Sequence, residues 1–159
     1  MEKIKKLSLI CFSGHLDKLL AAYTLATGAA SVGYEVNMFF TFWGFNLLKK
    51  KKDHAFMGKG LLSRIFNFLM GGQKNLPLSM LNLCGMSPKL MTYLMKKRNV
   101  ATLEQLISAA FELGVNHYGC EMSLVIFGLK KEDLIPQVKD IVGVATFLKI
   151  SEGGEVLFI

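Results

Sequence analysis

The chain has 159 residues, of which 52% are apolar, and carries a formal net charge of +7. That length suits one domain with a sizeable core, and that apolar content excludes a disordered chain. Its three cysteines, Cys11, Cys84 and Cys120, are widely spaced and form no CxxC pair, so neither a disulfide framework nor a zinc site is expected, and a reducing compartment is the default.

The basic start Met1–Lys6 precedes an apolar run, Leu7 to Phe12, but Ser13-Gly14-His15 and Asp17-Lys18 break that run too early for an export segment. Every other apolar stretch falls short of the roughly 18 residues of a membrane span. A cytoplasmic protein is therefore expected. Residues 6–12 read as a buried strand. Leu16 to Thr27 is rich in helix formers, with Ala21, Ala22 and Ala26 small enough for close packing on a sheet, and Gly33 supplies a stop. Glu35 to Phe42 is a second strand, which makes a βαβ unit with a right-handed crossover.

Residues at about 45–80 form an excursion from the core. Lys49 to Lys52, Lys59, Arg64 and Lys74 crowd it with only Asp53 as an acid. The lysine run is expected to be a solvated face, available to an anionic partner or a membrane surface. It lacks interleaved stacking aromatics, so nucleic acid is not expected. Leu61, Leu62, Ile65, Phe66 and Leu69 share one helical stripe between glycines. That stripe could bury against a second subunit, the domain's own core or a membrane surface, in that order of preference.

Ser87-Pro88 suits the start of a helix that ends in Lys96-Lys97-Arg98. Thr102 to Gln105 is a capping box, and Leu103, Leu106, Ile107, Ala110 and Phe111 follow at helical spacing up to Gly114. A strand then leads into Gly119-Cys120, and a helical run follows over 121–127. A polar turn covers 130–133, a last helix is expected near 141–150, and residues 155–159 close the chain as a strand. These elements describe a single α/β domain over 1–159, with helices on both faces of a mainly parallel sheet of about five strands.

Cys120 is the candidate reactive group. At a strand-to-helix junction the free N–H groups and partial positive charge of the helix favour thiolate, the nucleophilic form. The competing reading is a buried, inert cysteine. Ligands of open parallel sheets bind outside the carboxyl ends of the strands. Those ends carry Ser13-Gly14-His15, then Thr41 to Gly44 with Trp43, then Gly119 and Cys120 followed by Glu121 and Met122. Ser13, Gly14 and His15 read as an anion-binding turn or, preferably, a polar helix-capping turn. Trp43 lines a pocket or simply packs. His117 points to a sheet face, and Met122 and Cys11 read as core. Cys84 offers a possible resolving thiol. No metal site and no cofactor are indicated.

The segments Ser13-Gly14-His15-Leu16-Asp17-Lys18 with Ala21-Ala22, Met38 to Gly44, Gly85 to Met91, Tyr118-Gly119-Cys120-Glu121-Met122-Ser123, Gly143 to Phe147 and Leu157-Phe158-Ile159 together resemble the DsrE/DsrF-like sulfur-relay family, in its single-domain branch. Glycine precedes Cys120 where that family commonly has alanine, and His15 stands where Asp is frequent. The resemblance implies a three-layer α/β/α sandwich and homo- or hetero-oligomers of three or six subunits. It also implies a persulfide on Cys120 that passes sulfane sulfur to the thiol of a small sulfur-carrier protein. The alternatives are an oligomeric, non-catalytic binding protein for an anionic or lipid-like ligand, with peripheral membrane contact through the excursion, and a thiol redox sensor using Cys120 and Cys84.

Overall fold

The computed structural model describes residues 5–80 and 86–159, so Cys84 lies outside the described residues. Five strands, β1 (Lys6–Cys11), β2 (Glu35–Phe40), β3 (Asn116–Cys120), β4 (Val138–Val142) and β5 (Glu155–Phe158), form one sheet in the order β4-β3-β2-β1-β5. Every pairing is parallel. Helices cover the sheet, giving the three-layer α/β/α arrangement. The fold class thus matches the sequence expectation.

Register assigns the two faces. Cys11, Phe40 and Gly119 are level neighbours on β1, β2 and β3, as are Leu9, Met38 and His117 one pleat earlier. Side chains alternate along a strand, so these residues share one face and Cys120 lies on the other. The first face carries the larger core. Here α1 (Leu16–Ser31) buries Leu19, Ala22, Tyr23 and Ala26, and α4 (Leu103–Glu112) buries Leu103 and Ala110. The capping box at Thr102 forms as expected: its backbone N–H donates to Gln105 Oε1 at 2.9 Å, and its hydroxyl accepts from the Gln105 N–H at 3.5 Å. On the second face Phe39, Tyr118, Cys120 and Val142 pack with Phe147 of α6 (Val144–Ile150), whose ring stacks on Phe39 at 4.6 Å.

Strand β2 ends at Phe40, two residues before the expected limit. A 3₁₀ segment, Phe42–Leu48, turns the chain back under the sheet edge and buries Phe45, Asn46, Leu47 and Leu48. Two glycines permit this approach. A Cβ on Gly44 would stand 2.2 Å from the Cys11 carbonyl oxygen, and one on Gly119 would stand 2.6 Å from Ile141 Cδ1 and 3.2 Å from Phe45. Strand β4 corrects the expectation of a helix from Ile141: residues 138–142 are a strand at the sheet edge, and only 144–150 are helical.

The excursion holds the largest departure. Helix α2 (Leu61–Met70) buries only Asn67, whose Nδ2 donates to the carbonyls of Met57, Ser63 and Phe127 at 3.1, 2.8 and 2.8 Å. Leu61, Leu62 and Leu69 are 74, 83 and 70% exposed, whereas Ile65 and Phe66 are 42 and 40% exposed and the Phe66 ring stacks on buried Phe127 at 5.8 Å. The domain's own core therefore covers one edge of the apolar stripe and leaves its leucines outward. Helix α3 is described over Met86–Lys97, which takes in the expected Ser87 cap, and it buries none of its side chains. Lys49 is a further correction. It is expected in a solvated run, yet it is 1% exposed, with Nζ 5.8 Å from the centroid of the Phe127 ring and no hydrogen-bond partner among the described residues. The antiparallel bridge between Lys49 and Leu134 fixes its backbone there, while Lys50, Lys51 and Lys52 do stay exposed.

Candidate functional site

Cys120 is both the last residue of β3 and the N-cap of α5 (Glu121–Ile126), with extended backbone at φ −75° and ψ 122°. The sequence anticipates this junction. The residue is 5% exposed and packs in one cluster with Val142 and Phe147. Glu121, next in sequence, is exposed, and its Oε2 lies 3.7 Å from where a Cβ on Gly143, the N-cap of α6, would be. The thiol thus sits where the starts of α5 and α6 converge.

The other described cysteine differs. Cys11 is 1% exposed in mid-core, and burial pushes its thiol up to about 12. Neither cysteine is in a disulfide. At neutral pH Cys11 is a protonated, apolar filler.

The sequence assigns Ser123 no role beyond its place in the Cys120 segment. It is 1% exposed, and its Oγ accepts the Phe42 N–H at 2.8 Å and shares a hydrogen bond with Thr41 Oγ1 at 3.2 Å. Phe42 has φ of +44°, an uncommon conformation for a bulky residue. Ser123 therefore ties the first turn of the cysteine helix to the strained exit of β2. The serine's position three residues after Cys120 was visible in the sequence. The strain that it restrains was not.

The remaining sequence candidates separate. Ser13 and His15 satisfy each other: Ser13 Oγ accepts the His15 N–H at 3.2 Å and pairs with His15 Nδ1 at 2.8 Å. The next helical N–H, that of Leu16, donates to the Pro77 carbonyl at 2.8 Å. This is a self-contained polar turn, two strands away from Cys120, or about 10 Å at ordinary strand spacing. Gly14 lies against the backbone of Trp43. Trp43 is 45% exposed, and its ring centroid is 6.2 Å from that of Phe66 on α2. Gly119 faces Phe45 and Leu48, on the opposite side of the sheet from Cys120. Met122 is 52% exposed, which corrects its reading as core; Val125 and Ile126, one turn further along α5, are exposed as well, as is Val144 at the start of α6.

His117 does point to a sheet face. It is fully buried, stacked on Phe40 at 5.5 Å, with Nδ1 2.9 Å from the Val115 carbonyl and Nε2 3.0 Å from the Tyr23 hydroxyl. A carbonyl only accepts, so Nδ1 carries the proton and the tyrosine donates to Nε2. Burial lowers the imidazole to about 4. Among the described residues no group of three or more His, Cys, Asp or Glu side chains could hold a metal ion, and no helix is long and apolar enough to cross a membrane.

Comparison with known proteins agrees with this architecture. Residues 3–159 match the model of the DsrE/DsrF/DrsH-like family. The chain is 42% identical over 160 residues to the uncharacterized protein YrkE of Bacillus subtilis, covering 99% of each chain. It is 34% identical over 150 residues to the sulfur carrier protein DsrE2 of Allochromatium vinosum, covering 92% of each. The solved structure of MTH1491, a protein of unknown function from Methanobacterium thermoautotrophicum, superposes with a TM-score of 0.57 at 12% identity, over 98% of this chain and 99% of the other, and so shares the fold. On this whole-length match, with the all-parallel sheet and the cysteine at the end of β3, the chain belongs to the DsrE/DsrF/DrsH-like family.

Proposed function

We propose that this protein is a sulfur-relay carrier in which Cys120 holds sulfane sulfur as a persulfide. One observation carries the reading: Cys120 is the cysteine placed at a strand-to-helix junction on the sheet's carboxyl edge, whereas Cys11 is sealed in the core. The relationship to a protein named as a sulfur carrier supports it.

In the loading step the Cys120 thiolate attacks the outer sulfur of a donor persulfide. A new S–S bond forms at Cys120, the donor's S–S bond breaks, and the donor leaves as a thiolate. In the unloading step the thiolate of a small carrier protein attacks the outer sulfur on Cys120, and Cys120 leaves as the thiolate. Each step exchanges one S–S bond for another and needs no external oxidant or reductant. Exposed Met122, Val125 and Ile126, at i, i+3 and i+4 on α5, give the incoming protein an apolar helix face. A free thiol of this kind belongs in a reducing compartment such as the cytoplasm.

Mass spectrometry after incubation with polysulfide or a persulfidated carrier tests the reading. A single-sulfur adduct on Cys120 that is lost in Cys120→Ser is expected. Adducts confined to Cys11 or Cys84 would sink it.

A second reading rests on α2. Its outward apolar stripe is an unusually large patch for a protein alone in water. We propose that a second copy of the chain covers it in a closed homo-oligomer, a trimer or hexamer. The flanking Lys50, Lys51, Lys59 and Arg64 make an anionic membrane surface the competing occupant.

A further inference from the structure

A cavity of about 450 Å³ opens between the start of α1, the excursion, α3 and the capped start of α4. Its size falls within the roughly 300–1,000 Å³ of small-molecule sites. Leu16, Leu76 and Leu103, each at most 7% exposed, supply an apolar floor. Four lysines line it: Lys52 and Lys74 from the excursion, Lys89 and Lys96 from α3. The backbone N–H of Lys74 donates to the Lys52 carbonyl at 2.8 Å, which fixes the first pair relative to each other. Lys89 and Lys96 are two helical turns apart on one stripe, with Thr92 and Tyr93 between them.

The orientation of α3 is the unexpected part. A helix docked for stability turns its apolar face inward. Here Lys89, Thr92, Tyr93 and Lys96 line the cavity, while Leu90 is 59% and Met91 41% exposed. The cavity has one carboxylate in its lining, Glu104, and that is 3.8 Å from Lys52. Lys74, Lys89 and Lys96 form no ion pair among the described residues. An anion seated on the apolar floor would be attracted by these exposed ammonium groups at the rim.

We propose that this cavity binds a small organic anion with an apolar body, a carboxylate or similar acid whose chain lies on the three leucines and whose charged end meets Lys89 and Lys96. Neither an inorganic anion nor a neutral amphiphile satisfies both halves of the lining. The site is separate from the sulfur chemistry, since none of its lining residues belongs to the Cys120 segment.

Calorimetric titration of the intact protein with decanoate, below its micelle concentration, tests the proposal. One decanoate per chain is expected, with 1-decanol and acetate each binding at least about tenfold more weakly. Lys89→Glu with Lys96→Glu should weaken decanoate binding by about tenfold or more, while Lys89→Arg with Lys96→Arg retains it. These side chains are on an unburied helix, and circular dichroism verifies that the folded state is kept. Leu62→Asp with Phe66→Asp, on α2, and Cys120→Ser should leave the affinity unchanged. Absence of decanoate binding overturns the proposal. So does binding that survives both charge reversals, or binding lost through the α2 variant, which would place the anion elsewhere.

Discussion

Ser123 Oγ accepts the Phe42 N–H at 2.8 Å, joining the helix that starts at Cys120 to a residue with φ of +44°. Ser123→Ala leaves that buried N–H and the Thr41 hydroxyl short of a partner. Such a loss costs about 1–3 kcal/mol, so urea unfolding should show a lower midpoint. Sulfur loading of Cys120 should slow beyond what the fraction unfolded explains, because the turn beside the thiol is then free to relax. Unchanged stability with unchanged loading would remove Ser123 from any positioning role.

Acid should weaken the fold through His117. Its native imidazole titrates near 4, against an ordinary 6.5, because burial disfavours the charged form. Between those values the unfolded chain takes up a proton that the native chain refuses, so stability falls as pH drops from about 6.5 to about 4. Above 6.5 this group contributes no slope. The full effect is of order 3 kcal/mol. His117→Phe should flatten that part of the pH profile while lowering stability at every pH, since the Tyr23 hydroxyl loses its acceptor. A variant that keeps the wild-type slope would assign the acid sensitivity to another group.

Lys49 acts in the opposite range. Burial lowers its ammonium from 10.5 to about 8. The native chain therefore holds fewer protons than the unfolded chain between those values, and stability from this group rises as pH goes from about 8 to 10.5. At neutral pH this is a buried charge with no hydrogen-bond partner among the described residues. Lys49→Met should raise stability at pH 7 by roughly 1 kcal/mol or more and remove the alkaline rise. Loss of stability in the variant would indicate that Lys49 Nζ has a partner in solution.

Assembly is checked by light scattering. The intact protein should be a closed homo-oligomer with residues 61 to 70 at or near a contact. Leu62→Asp with Phe66→Asp should dissociate it, because two carboxylates would then enter a shared apolar contact. A monomeric wild type removes the idea, and an unaffected oligomer moves the contact elsewhere. Cosedimentation of the same pair with anionic vesicles distinguishes a membrane as the occupant.

Much of this was readable from the chain. The βαβ start, the capping box at Thr102 and the junction at Cys120 follow from local patterns that tertiary contacts did not override. Three features were not. Strand β4 reads Val-Lys-Asp-Ile-Val, with Lys139 and Asp140 exposed at an edge where charge is tolerated, so its apolar signal is thin. The stripe on α2 was legible as a stripe, yet periodicity does not say which face turns inward, and two of the three carbonyls that gather Asn67, those of Met57 and Phe127, lie outside the helix. Lys49 belongs by sequence to a cationic run, and only the bridge to Leu134 draws it beneath the surface. The same limit applies to the candidate site. His15, Trp43 and Cys120 follow strand ends that the sequence identifies, but register keeps the imidazole with Ser13 and leaves Thr41 and Ser123 as the groups nearest the thiol's helix.

The tight passages at Gly44 and Gly119 matter for how a mutational scan of this protein should be designed. Any side chain at Gly44 collides with the Cys11 carbonyl, while at Gly119 the movable tip of Ile141 is met first and the Phe45 and Leu48 side chains at 3.2 and 3.3 Å leave little room for anything large. In a growth selection both positions would score as intolerant as Cys120, although neither takes part in chemistry. Scoring cellular abundance alongside sulfur loading resolves the two classes. Substitutions at the glycines should deplete the protein itself, whereas Cys120→Ser should accumulate normally and fail only in transfer.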